Sequence, residues 1–266
     1  VRDHDAGSHP ATVVVQSFHA NPPDWIGRCM QSARAWSRQA GFAYRFVGDE
    51  FFDTLPDWVR AKTAGRPQVA SDLARLNLLA ALLDEGWESA VWLDADVLVF
   101  DPEGLSAALD LSDGYLLGRE AWVQTDNKGR LRAPRGIHNA LCAMRRGNPF
   151  LHFYRDAATR ILARHDGPMV PQLIGPKFLK SLDNMLGLPA TWAVNMASPR
   201  LLSDIAGSGG PALRLFNARS GNPPSALNLC LSYTGHEVDD IAVDTNLIDV
   251  AIGRLLADFN RTFPRK

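Results

Sequence analysis

Cysteine is scarce in this chain. Cys29, Cys142 and Cys230 are odd in number, far apart and without a C-x-x-C pair, so neither a disulfide framework nor a zinc knuckle is indicated and a reducing cytoplasm is the expected setting. Long apolar runs are missing too: nothing approaches the about 18 residues that span a bilayer, and the opening VRDHDAGSHP is polar rather than signal-like. Excess charge is also absent. Twenty-eight Lys and Arg against 29 Asp and Glu give a formal net charge of -1, which argues against a dedicated nucleic-acid binder. The chain does not open on Met, so a trimmed or processed start is expected. Residues 1–10 read as a disordered or non-native tail, and a lost upstream anchor stays open.

What remains has globular composition, 46% hydrophobic and 21% charged over 266 residues, enough for one α/β domain at 11–266. Thr12 to Val15 is a β-branched run suited to a strand buried on both faces, stopping at Gln16-Ser17. Asp24 is placed to N-cap a helix with Ile26, Cys29, Met30, Ala33 and Trp36 at helical spacing, closed at Gly41. Phe42 to Val47 predicts a second strand, and the stretch through Pro67 shows no period and reads as irregular. Ser71 is placed to N-cap the next helix, which runs through Leu73, Leu76, Ala80 and Leu83 to Gly86. Ala90 to Leu93 predicts a strand that ends in Asp94-Ala95-Asp96, after which an apolar run resumes at Val97 to Phe100.

Beyond Asp101-Pro102, strands are expected at Tyr115 to Gly118 and Asn139 to Met144, bracketing a turn at Asp126 to Gly129. Pro149 to Ala163 predicts a helix with Pro at its start. Residues 167–224 are rich in Pro and Gly and read as irregular with short helices, such as Lys177 to Leu186; a closing helix is expected over Asp244 to Phe259. The early alternation of strands and helices predicts βαβ units: an α/β chain with a Rossmann-like, mostly parallel sheet flanked by helices.

The chemistry concentrates at Asp94 and Asp96. Strand alternation would aim both to one side at a strand's C-terminal end, where open α/β sheets bind ligands, and two carboxylates suit Mn²⁺ or Mg²⁺ on a diphosphate. Such a cation neutralises charge on a departing phosphate oxygen. Taken alone, the pair equally suits two acids making turn or cap contacts. Asp72 and Arg75, three apart, would lie in the first helical turn, where a carboxylate can hold sugar hydroxyls and a guanidinium a hydroxyl or phosphate. Each is also ordinary at a helix start.

The segment SDLARLNLLAALLDEGWESAVWLDADVLVF resembles the signature of the retaining GT-A glycosyltransferases with a DXD sugar-binding region. That group includes initiating mannosyltransferases, capsular polysaccharide glycosyltransferases and, more distantly, the glucosylating clostridial toxins. VVVQSFHANPPDWIGRCMQSARAWSRQAGFAYRFVGDE resembles the same family's first strand, helix and second strand. NALCAMRRGNPFLHFY and QLIGPKFLKSLDN are similar to later pieces, and the likeness fades beyond about Leu186.

The resemblance implies a GT-A fold, with residues 11–118 binding a nucleotide-sugar donor (UDP- or GDP-sugar) and an irregular part within 119–266 on the acceptor side. It implies donor contacts for Asp72 and Arg75, metal and diphosphate binding for Asp94 and Asp96, and retention of anomeric configuration. Asp94, Asp96 and Arg75 are then the catalytic candidates. Gln16, Ser17 and Phe18 would line the donor crevice, Phe18 standing where the family often has Trp. Asn139 would face the site or cap a strand end. Gly175 and Pro176 match a structural Gly-Pro helix entry.

The resemblance also implies a further metal ligand from near the C-terminus, for which His236, in the polar break after the apolar run Leu227 to Tyr233, is the best-placed residue; a solvated loop His is the equal alternative, and Asp239 and Asp240 compete for the role. The expected acceptor is a hydroxyl-bearing molecule, at family level a bacterial surface glycan. Lys128, Arg130, Arg132 and Arg135 could form an acceptor-side or membrane-facing patch, placing the protein in the cytoplasm or peripheral to the inner membrane; a solvated hairpin is the plainer alternative. Two rival functions stay open. One is a haloacid dehalogenase-type phosphatase with Asp94 as nucleophile, against which Leu98 and the two preceding βα units speak. The other is a catalytically silent sugar-nucleotide-binding protein.

Overall fold

The computed structural model describes residues 11–265; the expected N-terminal tail lies outside them. In chain order the first half holds β1 (Thr12–Ser17), α1 (Asp24–Gln39), β2 (Ala43–Val47), α2 (Asp57–Lys62), α3 (Pro67–Asp84), β3 (Ser89–Leu93), β4 (Val97–Val99) and α4 (Pro102–Ala108). The second holds β5 (Tyr115–Ala121), β6 (Gln124–Thr125), β7 (Leu131–Arg132), β8 (Arg135–Arg145), α5 (Pro149–Arg164), α6 (Pro176–Leu186), β9 (Ala190–Thr191), β10 (Val194–Met196), α7 (Pro199–Ala206), α8 (Pro211–Arg219), β11 (Ala226–Asn228), β12 (His236–Val238), β13 (Ile241–Val243) and α9 (Thr245–Thr262).

The central sheet has the order β2-β1-β3-β8-β5-β9. Its β1–β2, β1–β3 and β5–β9 pairs are parallel and both pairs of β8 are antiparallel, so five strands run one way and β8 alone runs back. The fold is α/β with a mostly parallel sheet flanked by helices. Both sheet faces are covered, which is why the strands read as continuous apolar runs. Val13 and Val15 point into one core with Leu73, Leu76 and Leu79 of α3 and Tyr154 of α5, while Val14 points into another with Ala33 and Trp36 of α1. A second, three-stranded sheet, β10-β11-β4, extends the latter core. A third core forms where α7, α8 and α9 pack around Leu98, Phe100 and Leu227.

Several expectations need correction. Asp24 is the first residue of α1 rather than its cap, and Pro23 precedes it with no side-chain cap bond. The stretch before Pro67 is not irregular: Asp49–Thr54 forms a 3₁₀ helix and α2 follows. Both are too short to display a period. α3 begins at Pro67, one turn ahead of Ser71, because Pro at the first helical position is already set for helical φ. The same device starts α6, α7 and α8 at Pro176, Pro199 and Pro211, so the Pro-rich region is substantially helical. Among the described residues no helix is long and apolar enough to cross a membrane.

Candidate functional site

The chain changes sheets at Asp94-Ala95-Asp96. β3 ends at Leu93 and β4 belongs to the second sheet. Between them lies a turn, closed by Val97 N donating to Asp94 O at 3.1 Å. Strand alternation therefore does not govern the two acids. They meet through Asn228 at the end of β11, whose Nδ2 donates to Asp96 Oδ1 at 2.7 Å and lies 3.4 Å from Asp94 Oδ2. Each acid is also pinned by its backbone: Asp94 N donates to Ala140 O of β8, and Asp96 O accepts from Leu229 N, both at 2.9 Å. Asp96 Oδ2 accepts from Leu231 N at 2.9 Å. Burial, and then the neighbouring Asp94 charge, hold the Asp96 carboxyl well above the usual range.

Asp94 Oδ1 takes two donors, Trp92 Nε1 at 2.6 Å and Arg75 Nη1 at 3.0 Å. The indole is fixed by stacking on Phe51, with centroids 5.0 Å apart, and by the Arg75 guanidinium 5.1 Å from its ring. Arg75 also donates to Asn139 O at 2.7 Å and pairs with Asp72 at 3.3 Å, while Asn139 Nδ2 donates to Asp72 Oδ1 at 2.9 Å. The sequence places Asp72 and Arg75 in the first turn of a helix. They lie instead inside α3, 5% and 6% exposed, with Gly175 packed so closely on Asp72 that a Cβ there would collide with Oδ2. Burial pushes the Asp72 carboxyl up to about 6, opposed by Arg75 and Asn139 and aided by Asp94.

Asn139 reaches Arg75 because β8 is irregular there. Leu117 pairs with Cys142 and the next residue, Gly118, with His138, so Asn139, Ala140 and Leu141 bulge out of the β5 ladder. His138 braces the excursion: its Nδ1 accepts from Ala140 N at 3.2 Å, leaving Nε2–H to donate to Val194 O at 3.1 Å. Its ring fills the space of a side chain at Gly118. Burial lowers this imidazole to about 4, so it is neutral.

The other sequence candidates are spread out. Gln16 is fully buried, donating to Asp94 O and accepting from the Tyr44 hydroxyl, both at 3.0 Å, so it braces the turn from below rather than lining an open crevice. Ser17 and Phe18 are half-buried at the same strand end, and the Phe18 ring packs on the Trp25 core. His236 is exposed on the β12–β13 hairpin. Among the described residues no three His, Cys, Asp or Glu side chains form a group able to hold a metal, so His236 is not brought together with Asp94 and Asp96.

Asp239 is committed to Thr125 N at 2.8 Å and Arg200 at 3.1 Å, and Asp240 is exposed. In the basic hairpin, Arg130 and Arg132 both bind Asp126, at 3.2 and 3.1 Å, and Arg135 lies over the Trp192 ring. Sequence reading missed Trp92, Asn228 and Cys230. Cys230 holds a left-handed φ of 56°, with its N–H on Asn228 Oδ1 at 2.7 Å, a strained backbone that aims the Leu231 N–H at Asp96.

Three acids and one guanidinium thus share a largely enclosed network, an excess of two negative charges if all are ionised. Carboxylate oxygens are the ligand type a hard divalent cation takes; here Asp94 Oδ2, 3.4 Å from Asn228 Nδ2, is the oxygen least engaged by protein donors, while Asp94 Oδ1 and both Asp96 oxygens already receive one or two.

No family model and no curated protein matches the chain. Among solved structures it is similar in part to a glycosyltransferase involved in the glycosylation of the major capsid of PBCV-1, at 11% identity and a TM-score of 0.35 over 60% of this chain and 68% of that one. It is also similar to A197 from STIV, at 9% and 0.30 over 65% and 78%. A third is mannose-1-phosphate geranyltransferase from Thermus thermophilus, at 13% and 0.31 over 67% and 68%.

Proposed function

We propose that this chain is a GT-A-type glycosyltransferase that moves a sugar from a UDP- or GDP-sugar to a hydroxyl-bearing acceptor, at family level a bacterial surface glycan. The observation that carries this reading is the meeting of Asp94, just past the C-terminal end of parallel strand β3, with Asp96 around Asn228, beside the strand ends where open α/β sheets bind nucleotides. Asp94 and Asp96 would hold Mn²⁺ or Mg²⁺, which supplies charge neutralisation for a leaving diphosphate. Arg75 and Trp92 hold Asp94 in place from behind, and Leu231 N–H holds Asp96. In this role Arg75 and Asp72 are positioning residues. Ser17 and Phe18 stand at the same strand ends and would border the donor. The expected stereochemical outcome is retention, for which no covalent nucleophile is named.

The test is release of nucleoside diphosphate from a panel of UDP- and GDP-sugars against Mn²⁺ concentration, in wild type and Asp96→Ala. The variant is expected to lose several powers of ten in turnover, at about 1.36 kcal/mol of barrier per tenfold. Normal metal-dependent turnover by folded Asp96→Ala would overturn the reading. An NMR time course showing a product of inverted configuration would overturn retention alone.

A further inference from the structure

One acid near the site has no partner. Glu120, at the end of β5, receives no hydrogen bond among the described residues, and only the Lys180 charge acts to favour its ionised form. It stands opposite Gly136 in the β5–β8 ladder, and its carboxylate lies over that bare backbone, where a Cβ would meet Oε1. Trp122 follows two residues later with its N–H on Pro134 O, so the extended chain continues and aims Glu120 and Trp122 to one side. Ala121 faces away, fully buried, and its N–H is held by Asn195.

The Trp122 ring meets Tyr233, with centroids 5.7 Å apart at 37°. Tyr233 is two residues beyond Leu231, whose N–H caps Asp96. Both rings and the carboxylate are half-buried, so each keeps an accessible part.

We infer that Glu120, Trp122 and Tyr233 form the acceptor subsite of the transferase, taking a pyranose whose C–H face lies on the aromatic pair and whose hydroxyls donate to Glu120. This rests on the transferase reading for its role, though not for its chemistry. A pyranose offers an apolar ring face and a rim of hydroxyl donors. An aromatic surface matches the face, and a carboxyl group, whose oxygens accept hydroxyl donors and whose proton, when present, can be donated to a sugar oxygen, matches the rim. Tyr233 travels with the Leu231 N–H that fixes Asp96, so a sugar held there lies beside the acid pair. The chemistry needs no further group: the sugar hydroxyl is oriented, and no bond is made to Glu120.

The experiment uses the full chain with Mn²⁺ and UDP or GDP. Methyl α-D-glucopyranoside, methyl β-D-galactopyranoside and methyl α-D-mannopyranoside serve as probes, followed by saturation-transfer NMR and titration. Wild type is expected to bind at least one probe. Glu120→Gln and Trp122→Ala should each weaken it about tenfold, equal to about 1.4 kcal/mol. Trp122→Phe, which keeps a ring against Tyr233, should retain binding, and nucleotide affinity should stay within about twofold throughout.

If Trp122→Ala does not fold, Glu120→Gln decides. No probe bound by wild type, or equal probe binding by folded Glu120→Gln and wild type, overturns the subsite. Absence of nucleotide binding by wild type would instead sink the donor reading, and the same probe titration on nucleotide-free protein would still judge the subsite.

Discussion

Asn228 stands between the two acids of the turn as their shared donor, 2.7 Å from Asp96 Oδ1 and 3.4 Å from Asp94 Oδ2. Asn228→Asp would replace that donor with a third carboxylate. The metal-free protein should melt lower than wild type, because like charges are crowded in a low-dielectric site. Its Mn²⁺-induced rise in Tm should exceed the wild-type rise, because tighter binding to the folded state stabilises it further. Thermal melts with and without Mn²⁺ check this, and identical Mn²⁺ responses would count against the acid pair as the cation site.

Arg75 serves Asp94, Asp72 and the Asn139 carbonyl at once. Arg75→Met leaves the buried Asp72, and the part-exposed Asp94, without their cation and should cost about 3–5 kcal/mol, read by urea unfolding. Arg75→Lys should recover only part of that loss, since a point ammonium cannot present a planar fork to three acceptors. Full recovery by Lys would mean that charge alone, not geometry, holds the network.

Gly175 and Gly27 should respond in opposite directions to alanine. At Gly175 a methyl runs into the Asp72 carboxylate, so Gly175→Ala should destabilise by about 1–3 kcal/mol. At Gly27, inside α1, nothing lies within 4 Å, and Gly27→Ala should gain about 0.5–1 kcal/mol from helix propensity. Paired melting curves decide both.

Glu120 makes stability depend on pH. Burial pushes its carboxyl up to about 7, with Lys180 opposing, from an ordinary value of 4.5. The folded state therefore holds this proton more tightly than the unfolded one. Its favourable contribution is complete below about pH 4.5 and is lost as pH rises through about 7. Wild-type stability relative to Glu120→Gln should fall across that window and flatten above it. Denaturant titrations at several pH values measure the difference, and a flat difference would show that the group is solvated in the folded state.

The sheet was legible because buried parallel strands are runs of apolar residues. Val13 to Val15 and Ala90 to Leu93 have no other way to satisfy both faces. Helix starts were less legible. Ser71 is a good cap, but Pro67 four residues earlier needs none, and the shift of one turn moved Asp72 and Arg75 from a solvated helix end to an enclosed interior. Asn228 was hidden inside the apolar stretch Leu227 to Tyr233, where its role depends on β11 pairing with β4, a contact across more than a hundred residues. The bulge at Asn139 left no local mark because it exists only in the register of β8 against β5, where the His138 ring sits over Gly118. His236 drew notice as a polar break after an apolar run, and such a break marks a hairpin equally well.

The crossing of the chain from one sheet to the other at Asp94-Ala95-Asp96 mounts the two acids on separate slabs. Asp94 rides on the large sheet through Ala140, and Asp96 rides on the small one through Leu229 and Asn228. The pair works as a calliper whose jaws are the sheets themselves. A slip between the slabs would change the gap between the carboxylates, against the shared grip of Asn228 on both. Substitutions far away in the α7–α9 core, which carries the small sheet, thereby gain a mechanical route to the jaws without touching either acid.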